Sequence, residues 1–395
     1  MTPGDAMALG GLGLQRSLER ADYVEEERYA REQEVVLSSD WFCVGRSEAL
    51  ARSGEYLAVE VAGEALLVIR GADGELRCFY NLCRHRGTRL VPSSSHGPDA
   101  PGTPSGRFGR VVTCPYHAWS YGLDGVLRRA PFLPQALRLK DQLSLHEIAV
   151  ESWGGFVFVR LCSDKQEPSL GERLSEVQKR LAHYRLSDLR IGRRLIYRVA
   201  ANWKVILENY NECYHCGPVH PELCRLVPDF SRGGAGLNWD EGIPHRAGAT
   251  TFTMSGRTDR EPFPDLLPEE RSRHRGELVL PNLMLSLSCD HIAAFSLWPE
   301  SAAYTTVVCD FLFTTDAISA PNFDPEDAVG FWDLVNGQDW YICEQVQAGM
   351  RSRMFTVGWL SELEEPSADI GAYIRARGLE GSRAQSRPES PRRSS

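Results

Sequence analysis

The sequence predicts an α+β protein in two parts: a small antiparallel β domain, then a larger domain in which helices accompany an antiparallel sheet. Three observations carry that expectation. Segments up to about residue 160 are short, rich in Val and aromatic residues, and separated by turn signals. Beyond that point helical and strand-like stretches mix, the pattern of a sheet covered by helices. The 395 residues, with 42% apolar and 25% charged side chains, suffice to fill and cover two domains.

Taken in order, residues 22–40 are rich in Glu and Arg and read as a helix, so 1–40 is expected to be a helical segment packing on the second domain. Strands are expected at 41–45, 56–61, 65–70, 76–81, 110–114 and 153–160, with Ala72-Asp73-Gly74 and Asp124-Gly125 as turns. Together they make a β domain over 41–160. Within it, 92–109 is loaded with Ser, Gly and Pro and reads as a surface loop. The second domain, 161–380, is expected to hold helices at 169–184 and 202–214 and strands at 278–288, 292–298 and 303–314. A long helix follows at 323–352, starting near Pro325-Glu326-Asp327, where acidic side chains favour a helix N-terminus. Residues 381–395 hold almost nothing apolar and are expected to be disordered.

The net charge of −9 repels phosphate backbones, so nucleic acid is not an expected partner. No run approaches the 18 apolar residues of a membrane span, and the apolar run 7–14 is short and follows Asp5 instead of a basic segment. A soluble, cytoplasmic protein is expected. Eleven cysteines, an odd number, favour a reducing compartment. Cys43, Cys78, Cys162, Cys224, Cys289, Cys309 and Cys343 stand singly and read as small core residues.

Cys83 and Cys114 are different. Cys83-Arg84-His85 and Cys114-Pro115-Tyr116-His117 each place one thiolate and one imidazole in a single tight turn. A zinc finger usually takes both cysteines from one turn and both histidines from another. Two mixed turns face to face put both sulfurs on one iron and both imidazoles on the other, the ligation of a Rieske [2Fe-2S] cluster. A Cys2His2 zinc site is the competing reading. The segments Cys-Arg-His-Arg-Gly at 83–87 and Cys-Pro-Tyr-His-Ala-Trp-Ser-Tyr at 114–121 resemble the Rieske signature of ring-hydroxylating oxygenase α subunits. The 28 residues from 86 to 113 exceed the family's usual spacing, and the Ser/Gly/Pro-rich loop, which contains His96, accounts for the excess.

A second constellation lies at 202–220. His215 and His220 are five apart, about 140° round an unbroken helix, too far to share a metal comfortably. Gly217-Pro218 between them is expected to break the helix and let them converge. Two histidines and one carboxylate form the facial triad of non-haem iron(II) oxygenases, which leaves positions open for O2 and substrate. By the family pattern the carboxylate lies on a late helix before a segment like Gln347-Ala348-Gly349, which implies Asp339, with Asp333 and then Glu344 as alternatives. The resemblance also implies that Glu212 bridges the centres, hydrogen-bonding His215 on its own chain and His117 of a neighbouring subunit. It further implies a homotrimer and a helix-grip type catalytic domain.

No glycine-rich dinucleotide fingerprint follows a strand, since Gly10-Gly11-Leu12-Gly13 lacks one before it. NAD(P)H oxidation is therefore assigned to a separate reductase, of flavin and ferredoxin type. The stretch 212–220 and the Asp-Trp-x-Ile-Cys-Glu segment at 339–344 are similar to choline monooxygenase, the carnitine oxygenases and the glycine betaine and stachydrine demethylases. That similarity implies hydroxylation or N-demethylation of a small quaternary ammonium compound, with Trp298, Phe295, Tyr210 and Trp332 as candidate aromatic walls. The alternatives are an aromatic-ring hydroxylating dioxygenase and a Rieske electron-transfer protein without oxygenase activity.

Overall fold

The computed structural model describes residues 13–92, 105–162 and 168–379. The stretch 1–12, His96 with most of its loop, and the tail 381–395 lie outside the described residues.

The first domain is built on a seven-stranded antiparallel sheet in the order Phe42–Arg46, Phe156–Arg160, Glu147–Trp153, Leu76–Tyr80, Glu64–Arg70, Glu55–Val61 and Ser105–Arg107. Side chains alternate across a strand, and here both faces are covered. Leu57, Val59, Leu66 and Val68 join the core shared with the second domain, whereas Ala58, Leu67 and Ile69 join a separate core with Cys83, Cys114 and Tyr121. Below that second face sits a three-stranded sheet, Val111–Thr113, Ser120–Gly122 and Leu127–Arg129. The expected strand at 153–160 is instead the end of a hairpin. Trp153 pairs with Phe156 across Gly154-Gly155, both at positive φ, as a two-residue turn between twisted strands requires. Residues 105–107, read as loop, add an edge strand beside Glu55–Leu57.

The second domain holds a six-stranded antiparallel sheet in the order Arg190–Val199, Tyr304–Phe313, Ile292–Ser301, Leu283–Leu287, Arg273–Val279 and Ile243–Pro244. The stretch 278–288 is two strands, not one, because Pro281 removes a ladder donor between them. The helical stretch 169–184 is a chain of short turns, Leu170–Arg173, Ser175–Arg180 and Ala182–Tyr184. Two helices position the site: α1, Trp203–Tyr210, whose N-cap Asn202 accepts the Lys204 N–H, and α2, Glu326–Met350. The N-terminal segment, Arg20–Val24 and Glu26–Glu32, is locked onto α1 from within the core. There Glu32 pairs with Lys204 at 2.6 Å and takes the Trp203 indole N–H at 2.8 Å, with Glu32 and Lys204 wholly buried.

Six of the seven single cysteines are buried or partly so; Cys162 is exposed, just past the end of strand Phe156–Arg160. No helix among the described residues is long and apolar enough to cross a membrane.

Candidate functional site

Cys83 and Cys114 open two loops with the same backbone pattern. Cys83 N–H donates to the Thr88 carbonyl at 2.8 Å and Gly87 N–H to the Cys83 carbonyl at 2.9 Å; Cys114 N–H donates to Trp119 at 2.8 Å and Ala118 N–H to Cys114 at 3.1 Å. The closing residues Gly87 and Ala118 both sit at positive φ, 74° and 56°, which glycine adopts without strain and alanine does not. The pairing leaves the sulfurs buried and the imidazoles of His85 and His117 exposed, their rings 4.8 Å apart at 69°. His85 stacks on Trp119 at 4.9 Å. Tyr121 was not singled out from the sequence, yet its hydroxyl sits 3.2 Å from Cys83 Sγ and accepts the Arg84 N–H at 3.0 Å.

This donor set fits a two-iron cluster better than a single ion. The two sulfurs are buried and the two imidazoles are exposed with their rings 4.8 Å apart, so each like pair can serve an iron of its own. Burial raises the Cys83 thiol, with the Tyr121 hydroxyl opposing, and the neighbouring Cys114 raises it further. A bound cation is what makes two such sulfurs thiolates together.

The chain between the two histidines is not bent where the sequence suggested. Helix α1 stops at Tyr210, four residues short of the expected end, because Glu212 Oε2 takes the N–H groups of Tyr214 and His215, the latter at 3.2 Å, and competes with helical acceptors. Gly217 and Pro218 lie inside a short helix, Cys216–Val219. The second bend falls at His220, before Pro221 opens the next helix. Gly217 packs closely on the Ser231 carbonyl, which a Cβ at 3.2 Å would crowd by a few tenths of an ångström.

The two bends bring the imidazole centroids to 5.1 Å. Asp339, on α2, places Oδ1 2.9 Å from His220 Nε2 and 3.3 Å from His215 Nε2. The alternatives face elsewhere: Asp333 accepts the Tyr197 hydroxyl at 2.7 Å, and Glu344 accepts the Ala200 N–H at 3.0 Å. Each imidazole is held from behind, His215 Nδ1 by Glu212 Oε1 at 2.6 Å and His220 Nδ1 by Gln338 Oε1 at 2.8 Å. Gln338 is fixed in turn by Glu222 at 3.2 Å. Orientation of both rings by outer partners is what a metal-binding imidazole needs. Burial opposes charge on His215, but the Asp339 and Glu212 carboxylates outweigh it and push the group up to about 11. Burial also works against the Asp339 charge, and His215 and His220 hold it below the usual carboxylate range. Three convergent ligand atoms of this type, with the remaining directions open to a cavity, fit a mononuclear iron.

That cavity has a volume of about 390 Å³ and runs between α1, α2 and the sheet. Three of the four candidate aromatic residues line it, Tyr210, Phe295 and Trp332, with Phe295 6.4 Å from Tyr210 and 6.1 Å from Trp332. Trp298 does not; it is buried against Phe42 at 5.3 Å. Phe230, in the short 3-10 helix Pro228–Arg232, and Trp239, in the turn after it, stacked at 6.0 Å, also line it, and neither carried a sequence signal.

Comparison with known proteins agrees in two regions. Residues 40–149 match the Rieske [2Fe-2S] domain, and residues 186–376 match the ring hydroxylating alpha subunit catalytic domain. The chain is 36% identical to the carnitine monooxygenase oxygenase subunit of Escherichia coli K12 over 84% of this chain and 83% of that protein. It is 27% identical to the glycine betaine monooxygenase oxygenase subunit of Pseudomonas aeruginosa over 88% and 86%. A crystal structure of the quaternary ammonium Rieske monooxygenase CntA with gamma-butyrobetaine superposes with a TM-score of 0.70, covering 93% of this chain and 97% of that one. At 24% identity this likeness speaks for the fold.

Proposed function

The chain belongs to the ring-hydroxylating oxygenase α subunits, the oxygenase components of Rieske-type systems, and from that premise we propose that its substrate is a small quaternary ammonium compound, hydroxylated or N-demethylated with O2. The cavity over His215, His220 and Asp339 carries the reading. Aromatic faces from α1, α2 and the sheet stand where a quaternary nitrogen would gain cation-π attraction. The names of the relatives point the same way.

In this reading residues 41–160 hold the [2Fe-2S] cluster through Cys83, His85, Cys114 and His117. Residues 161–380 hold the mononuclear iron through His215, His220 and Asp339. When bound, the cluster relays electrons and the iron supplies open positions for O2. The chain itself does the positioning. Glu212 and Gln338 fix the two imidazoles, and the aromatic walls exclude water and orient the N-methyl group. Electrons come from NAD(P)H through a separate reductase of flavin and ferredoxin type, in the cytoplasm, where the thiols stay reduced.

We propose a homotrimer in which Glu212 also reaches the partner subunit's His117. Exposed apolar side chains on both domains support such a contact. Tyr116, Phe132, Leu133, Leu137 and Leu139 belong to the first domain, and Tyr214, Leu334, Tyr341 and Val346 to the second.

The test is product analysis with iron-loaded protein and a matched reductase. Formaldehyde or a hydroxylated product from a quaternary amine supports the reading; products only from aromatic compounds would replace it with ring hydroxylation.

A further inference from the structure

One part of the cavity wall is formed by Arg180, Asp240 and Glu277, which come from the helix Ser175–Arg180, a loop and the strand Arg273–Val279 and lie against one another. Arg180 is the one Arg or Lys among the cavity's described lining residues, against four carboxylates, Glu212, Asp240, Glu277 and Asp339. Its charge is already matched. Glu277 grips it through both oxygens, at 2.9 Å each from Nη2 and with Nε at 3.3 Å, and Asp240 lies 3.9 Å from Nε. The neighbouring Arg275 is turned onto Glu270 at 3.4 Å and the Asp240 carbonyl. His274, also in the lining, is neutral because burial, and then His245, push it down to about 3.

Resting on the quaternary ammonium reading, we propose that this Arg180–Glu277 pair selects against substrates bearing a carboxylate, so that the substrate is a cation whose far end is uncharged. A carboxylate placed there meets no unmatched cation and sits beside two carboxylates, an arrangement that rejects an anionic partner. A hydroxyl, ester or alkyl end meets no such opposition. Arg180 Nη1 hydrogen-bonds none of the described residues and can donate to a neutral oxygen.

The experiment compares matched pairs that share a trimethylammonium group, choline against glycine betaine and γ-butyrobetaine methyl ester against γ-butyrobetaine. It is run on the iron-loaded, reductase-coupled enzyme. Wild type is expected to show kcat/KM at least ~10-fold higher for the uncharged-end member. Glu277→Gln leaves Arg180 unmatched and should raise kcat/KM for the carboxylates while lowering it for their partners, reversing the order. Asp240→Asn, at a site 83% exposed and so without consequence for folding, should shift the ratio the same way by a smaller step. Preference of the wild type for the carboxylated members would overturn the inference alone, as would an unchanged ratio in both variants. Turnover of aromatic compounds and of neither member of either pair would instead overturn the reading on which it rests.

Discussion

Replacing Glu212 by Gln separates two tasks that one side chain performs. Oε1 holds His215 Nδ1 at 2.6 Å, and Oε2 accepts the backbone N–H of His215 at 3.2 Å and that of Tyr214. Glutamine keeps one acceptor and turns the other into a donor, so either the imidazole or the backbone pair loses its partner. A hydrogen bond to a charged group in a largely buried setting contributes about 1.5–3 kcal/mol. If that stabilisation is expressed in metal binding, iron(II) affinity falls by roughly 10- to 100-fold, the usual cost of losing an imidazole's outer partner. The assay is anaerobic iron(II) titration of cluster-loaded protein depleted of mononuclear iron, followed by turnover at saturating iron. The variant should fill its site at excess iron and still turn over far more slowly than wild type, because the proposed contact to the partner subunit's His117 would also lose its charge. Wild-type affinity would refute the orienting role, and full turnover at saturation would refute the bridge.

Asp339→Ala should empty the mononuclear site and leave the cluster's visible absorption intact, while Asp333→Asn should keep wild-type iron; the opposite pair of iron contents would move the ligand to Asp333. Glu32→Gln strands the wholly buried Lys204 ammonium without its counter-charge and should cost about 3–5 kcal/mol. By calorimetry that is a fall in Tm of about 4–6 °C, and a fall within error would refute the structural role. Burial pushes the Glu208 carboxyl up to about 7, against hydrogen bonding from Tyr23 at 2.7 Å. A folded value above the unfolded one means the contribution is fully present below about pH 4.3 and is lost as pH rises through 7. Denaturant unfolding should therefore show wild type losing up to ~3 kcal/mol more than Glu208→Gln between pH 5 and pH 8; parallel pH profiles would contradict this.

The segments that carry the candidate ligands stood out because ligand chemistry restricts residue type and spacing more tightly than packing does. Cys83, His85, Cys114 and His117 follow from two mixed turns alone. His215 and His220 needed a bend to converge, and the sequence assigned it to Gly217-Pro218, whereas Glu212's capping of Tyr214 and His215 and the kink before Pro221 produce it. Asp339 came from family likeness, since nothing in helical spacing separates it from Asp333 six residues earlier. Gln338 and Glu222 left no signal, because a polar residue aimed at a ligand and one aimed at water look alike in sequence; Tyr121 closes the Rieske-like segment, but its bond to Cys83 could not be read from it.

The fold was legible where strands are buried on both faces, and lost where they are not. Arg190–Val199 went unseen because its arginines interrupt the apolar pattern. It is an edge strand of its sheet, and Arg194 and Arg198 pair with Asp310 and with Glu300 at 2.9 Å instead of packing in a core. The second domain's short turns at 170–184 were likewise read as one helix, since apolar spacing persists across breaks set by the backbone.

The most direct test of the account is a single turnover. Protein loaded with cluster and iron is reduced without air and then mixed with O2 and a quaternary amine while the cluster's visible absorption is followed. The account predicts rapid reoxidation, with up to about one equivalent of formaldehyde or hydroxylated product per mononuclear iron, and neither in Asp339→Ala. Product in that variant, or fully loaded wild type without Rieske absorption, would contradict it.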